Sequence, residues 1–166
     1  MRCVWLALLF LFLPLAAATA QSSERLIAPL PPEFYFAWSA PTGDFRQYVP
    51  NGETVEKWTR MATIQIFPTH AGQPPIELFA LILQMYKKSC NRVGGKIYAQ
   101  GKERTHDVLY AIVTCDQSKE FGIAENTPFK FIGGKDALYL VQRAWRSPYT
   151  SPERTVEWKQ LLVVTA

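Results

Sequence analysis

The chain has 166 residues and carries 18 Lys and Arg against 14 Asp and Glu, a formal net charge of +4. The charges are scattered, with no basic run beyond Lys87-Lys88. A nucleic-acid-binding surface needs a concentrated basic face, so that class is set aside. Two histidines, His70 and His106, are not at metal-ligand spacing, and the sequence calls for no metal and no cofactor.

The chain opens with Arg2, an almost continuously apolar run from Val4 to Ala17 broken by Pro14, and then Ala18-Thr19-Ala20 before Gln21. That is the layout of a secretory signal peptide, so residues 1–20 are expected to be cleaved near Ala20. The competing reading is a membrane anchor, since about 17 apolar residues just span a bilayer. Pro14 and the small residues favour processing, and a periplasmic or secreted protein is expected. Arg2 is the single charged residue in that stretch, so 146 residues with a net charge of +3 remain of the 166. That is the size of one domain with a real core. Cys90 and Cys115 survive cleavage, and a pair in an exported chain reads as a disulfide. The alternatives are two buried thiols or part of a metal site.

Residues 21–32 hold Pro29, Pro31 and Pro32 and read as an N-terminal arm or linker, with residues 33–166 as the domain. Glu33 to Trp38 is aromatic-rich and suits a first strand, and Phe45 to Val49 a second, between the turns at Gly43 and Gly52. After a polar stretch, Trp58 leads an alternating run to Phe67. It reads as a central strand with Trp58, Arg60, Ala62, Ile64 and Ile66 on one face. Pro75 opens a helix over Ile76–Cys90, where Ile76, Phe79, Leu83, Tyr86 and Cys90 form one stripe. Leu78, Leu81, Ile82 and Met85 widen its apolar arc beyond one stripe. The helix is therefore buried on two sides or faces a partner.

Gly94-Gly95 reads as a turn, Lys96 to Gln100 as a short strand, and His106 to Cys115 as an inner strand apolar on both faces. A disulfide would then tie the helix end to that strand. Phe129 to Phe131 reads as an edge strand, Gly133-Gly134 as a hairpin turn, and Asp136 to Ser147 as a long return strand. Thr150-Ser151-Pro152-Glu153 reads as the start of a C-terminal helix bearing Trp158, Leu161 and Leu162.

The chemistry is largely negative. Neither a G-x-S-x-G elbow nor H-E-x-x-H nor C-x-x-C is present. Glu53 and Glu56 read as a solvated loop before a carboxylate site, and no catalytic residue is assigned. A small-ligand pocket between helix and sheet near Trp58, Arg60 and Tyr86 is the second reading. An envelope hydrolase using His70 or His106 is the third. The segment Tyr48-Val49-Pro50-Asn51-Gly52-Glu53-Thr54-Val55-Glu56-Lys57-Trp58-Thr59-Arg60-Met61 resembles the signature of small exported bacterial proteins of unknown function, in which a G-E-T-x-x-x-W-x-x-M segment leads into a strand. That resemblance implies a bacterial envelope protein and carries over no catalytic residue. The element order is also similar to the fold shared by Mog1 and the PsbP proteins of photosystem II, an analogy of fold.

The expected molecule is α+β: an antiparallel sheet of about six or seven strands, packed by one central helix and a C-terminal helix. The expected function is a non-enzymatic periplasmic accessory with an envelope protein partner. No sign of membrane contact is present in the sequence beyond the leader.

Overall fold

Residues 24–146 are described by the computed structural model; the leader and the expected C-terminal helix lie outside them. The described chain forms seven strands and one long helix. In order these are β1 (Phe34–Ser39), β2 (Phe45–Pro50), β3 (Arg60–Phe67), α1 (Pro75–Ser89), β4 (Val93–Glu103), β5 (His106–Cys115), β6 (Glu125–Gly133) and β7 (Leu138–Arg146). All strands join one antiparallel sheet in the order β1-β2-β3-β7-β6-β5-β4. This is the α+β architecture expected from the sequence.

Two strands take places that the sequence did not indicate. β3 is an inner strand, but β7 holds the centre, paired to β3 from Arg60↔Trp145 to Phe67↔Leu138. β6 lies between β7 and β5 and is no edge strand. Its alternation hid this because Lys130, a polar sign in sequence, is fully buried there.

β4 runs through the expected turn at Gly94-Gly95 and is eleven residues long. These glycines serve close approach. A Cβ on Gly94 would sit 2.5 Å from Thr114 Oγ1, and one on Gly95 2.8 Å from Leu83 Cδ1. The reversal into β5 comes at Arg104, whose φ is 55°. Trp58 is the fourth difference. β3 begins at Arg60, and the preceding loop is fixed by Glu53, which accepts from Thr59 N at 2.7 Å and Thr59 Oγ1 at 2.6 Å. Trp58 is thereby freed from strand alternation and packs with Val49, Met61 and Ala144.

Each face of the sheet carries a packed cluster over its middle strands. Leu78 and Phe79 of α1 pack on Leu109, Phe129, Phe131 and Leu140. The other face carries Val108, Tyr110, Ile132, Tyr139 and Val141. Leu26 and Ala28 of the N-terminal arm lie against it, so the arm belongs to the fold and is more than a linker.

That second face also holds Lys130, whose Nζ is 2.6 Å from Glu103 Oε2 and lies 5.1 Å from the centre of the Tyr110 ring. Burial holds its ammonium below the usual lysine range, and Glu103 opposes that shift. A lysine lowered in the folded state penalises folding while charged, and the penalty fades as pH climbs towards the unfolded pKa. In Glu103→Gln the opposing carboxylate is gone. The variant should be about 2 kcal/mol less stable at pH 7 in urea unfolding, less than for a fully buried pair because Glu103 is partly exposed. The deficit should narrow as pH is raised to about 9.5, below the titration of unfolded tyrosines. Adding Lys130→Met should recover most of it, and an undiminished deficit would contradict this account.

Candidate functional site

α1 places its last turn beside β5 because Cys90 and Cys115 are bonded, with Cα atoms 5.7 Å apart. The expected pairing is present. It also brings the 116–124 loop against the helix end. Lys119 N donates to Ser89 O at 2.8 Å, Lys119 Nζ to Lys88 O at 2.9 Å, and Asn91 N to Gln117 O at 3.0 Å. The two Lys119 bonds cap carbonyls that a helix C-terminus otherwise leaves unpaired, and the Asn91 bond ties the residue after the helix to the loop.

Between α1 and this loop lies a cleft of about 290 Å³, lined by Met85, Tyr86, Phe121, Ile123, Glu125 and Arg146 among others. Its walls are mostly apolar and its floor is polar. Tyr86 Oη donates to Glu125 Oε1 at 3.1 Å and contacts Thr127 Oγ1 at 3.0 Å. Burial, reinforced by the Glu125 carboxylate, pushes the Tyr86 hydroxyl far above its ordinary range, so it remains a donor at physiological pH. Arg146 Nε lies 3.7 Å from Glu125 Oε2. The Arg146 guanidinium sits 3.9 Å from the centre of the Trp58 ring and 5.4 Å from that of Phe121. A cation held on an aromatic face and beside a carboxylate is well fixed in place.

Of the residues singled out from sequence, Trp58 and Tyr86 are brought to this region and Arg60 is not. Trp58 and Tyr86 are linked through Arg146 and Glu125. Arg60 points to the opposite face, 3.3 Å from Glu33 Oε1 and 5.5 Å from the centre of the Phe34 ring. One residue of alternation separates the two faces, so Arg60 could join Trp58 only if both stood on the same strand. Arg146, Glu125 and Phe121 were missed. Each lies at a strand end or in a polar connection, where periodicity gives no signal.

Neither histidine lines the cleft. His70 packs edge-on to Phe67 with ring centres 5.6 Å apart, and His106 Nδ1 lies 3.5 Å from Glu24 Oε1. Among the described residues no group of three or more His, Cys, Asp or Glu could hold a metal ion.

Outward from the cleft, the helix leaves apolar side chains in water. Leu81 is 55% exposed and Met85 64%, four residues apart on one stripe. Phe121 at 57% and Ile123 at 40% stand across the cleft. The wide apolar arc is thus divided, with Leu78, Phe79 and Ile82 turned to the sheet and Leu81 and Met85 left outside.

No family model and no curated protein sequence matches the chain. Solved structures do. A point variant of Mog1 aligns with a TM-score of 0.50 at 11% identity, covering 78% of this chain and 76% of that one. The fold is Mog1-like. The Saccharomyces cerevisiae Ran-binding protein Mog1p aligns at 0.49 and 11% identity, with 78% and 76% covered. A Pseudomonas aeruginosa protein of unknown function aligns at 0.46 and 13% identity, with 78% and 94% covered. The likeness concerns the arrangement of the sheet and helix. The fold expected from element order is present at 11% identity, where no site residue is carried across.

Proposed function

We propose that the protein is exported to the bacterial envelope and acts there, without chemistry of its own, by binding a protein partner at the cleft end of α1. The observation that carries the reading is the exposed Met85 facing Phe121 and Ile123 across an apolar cleft, with the exposed Leu81 one turn further along α1. Exposed apolar side chains gathered around a concave site are a feature of interaction surfaces. The partner is expected to present an apolar side chain to the cleft, backed by contacts along α1. The leader-like residues 1–20 and the Cys90–Cys115 bond support an oxidising compartment. No helix among the described residues is long and apolar enough to cross a membrane.

The test places a photoactivatable residue at Met85 or Phe121 in the full chain and crosslinks in intact cells, with Thr42 as a remote control. One recurrent species is expected from Met85 and Phe121 and none from Thr42. Leu81→Glu in the same chains should weaken that species at least tenfold and change folding stability by less than about 0.5 kcal/mol. Equal yields from Thr42, or no effect of Leu81→Glu, would end this reading. Fractionation of the same cells checks export: the mature chain should begin at Gln21 and be found outside the cytoplasm. The same cleft, with Tyr86 at its polar floor, is what a small ligand would use. Crosslinks confined to small molecules would favour that alternative.

A further inference from the structure

The N-terminal arm from Glu24 to Pro32 crosses the sheet face opposite α1 as an extended segment in which alternate residues turn inward. Glu24, Leu26 and Ala28 are partly buried, while Arg25, Ile27 and Pro29 are exposed. An isolated bridge at Ile27 marks the arm, and among the described residues no strand precedes Phe34. The apolar contacts come from Leu26 and Ala28, which pack on Val108, Tyr110, Ile132, Tyr139 and Val141.

Polar ties are gathered at the outer end. The Glu24 side chain accepts from Tyr139 Oη at 3.2 Å and from Asp136 N at 3.2 Å, and lies 3.5 Å from His106 Nδ1. Glu24 N donates to Asp136 Oδ2 at 3.3 Å. Burial and the Glu24 carboxylate together push the Tyr139 hydroxyl up to about 12, which keeps it a donor to Glu24. At the inner end Arg143 Nη2 reaches Pro29 O at 3.4 Å, and Phe34 N donates to Pro31 O at 3.0 Å.

The covered face is unusual for a core. Besides its apolar residues it carries Lys130 and Arg143, exposed to 0% and 2%. Lifting the arm costs apolar contact but returns water to Arg143, which it meets at Pro29 O, and the two changes oppose one another. A short extended segment with few ladder bonds belongs to the low-stability end of a fold.

We propose that Glu24–Pro32 is a releasable strap, latched at Glu24, that closes this sheet face and opens without unfolding the sheet. The strap hinges towards Pro31-Pro32, where the turn into β1 begins. Glu24 is the latch because one carboxylate joins the arm to the 133–139 hairpin and to β5 at once.

Limited trypsin digestion of the purified full chain tests this. The bond after Arg25 becomes a substrate when Leu26 and Ala28 lift, and the bond after Lys130 reports opening of β6. Glu24→Gln should raise the cutting rate after Arg25 roughly tenfold, the loss expected for charge-assisted bonds, and leave the Lys130 rate unchanged. Tyr139→Phe removes one donor to Glu24 and should give a smaller rise at the same bond. The proposal is overturned if Arg25 is cut at the wild-type rate in Glu24→Gln. It is also overturned if both rates rise together, because opening is then global, or if the wild-type bond is cut as fast as in an unstructured peptide.

Discussion

Phe131→Ala is expected to remove about 3–5 kcal/mol of folding stability, the usual cost of deleting a buried phenyl ring. Phe131 is fully buried on β6, the strand that pairs with both β5 and β7. Its ring stacks on Phe129 at 5.6 Å and meets Phe79 of α1 edge-on at 6.0 Å. One substitution therefore removes the contact between layers as well as the transfer free energy of the ring. The cavity cannot collapse easily, because the ladder bonds on each side hold β6 in place. Urea unfolding followed by tryptophan fluorescence measures the effect. Phe36→Ala is the control. Phe36 is 55% exposed at the sheet edge and touches Tyr48 alone among the described aromatic rings, so about 1 kcal/mol or less is expected. Similar losses at both positions would mean that the α1 face is not the main core.

The same contrast explains what could be read from the sequence. Strands with two-residue alternation were legible: β3 from Ala62 to Ile66, and β5 from Val108 to Val113. The helix was legible from Pro75 at its first turn and the Phe79-Leu83-Tyr86 spacing. Gly94-Gly95 misled because glycine marks both a turn and a close approach, and Thr114 and Leu83, which decide between them, are distant in the chain. Lys130 misled because its partner Glu103 is on another strand, and a polar residue inside an apolar run otherwise signals an edge. The site was less legible than the fold. Tyr86 was identified by its place on the helix, but the residues that complete the cleft come from strand ends, Glu125 and Arg146, and a connection, Phe121. Periodicity describes elements, and this cleft is assembled where elements stop.

Replacing Cys90 and Cys115 together by Ala should cost about 3.5 kcal/mol, from the chain-entropy estimate for a loop of this length. The bond closes a separation of 25 residues that includes all of β4 and nearly all of β5. Denaturant midpoints compared with and without reductant check the figure. Reductant should lower the wild type to the level of the variant and leave the variant unmoved. A wild-type protein indifferent to reductant would contradict a stabilising bond. The functional consequence is more local. Phe121 and Ile123 stand opposite Met85 because Cys115 fixes the start of their loop beside the end of α1. Ser118 N to Ile123 O at 2.9 Å and Gly122 N to Ser118 O at 2.8 Å then close the loop on itself. Without the bond those contacts persist within the loop, but its attachment to the helix rests on the Lys119 and Asn91 bonds to exposed partners. Crosslinking from Phe121 should therefore fall more than crosslinking from Met85, which rides on a helix that remains packed through Phe79. An equal fall at the two positions would indicate loss of the whole fold. No fall at either would show that the two sides of the cleft are held together by the hydrogen bonds alone.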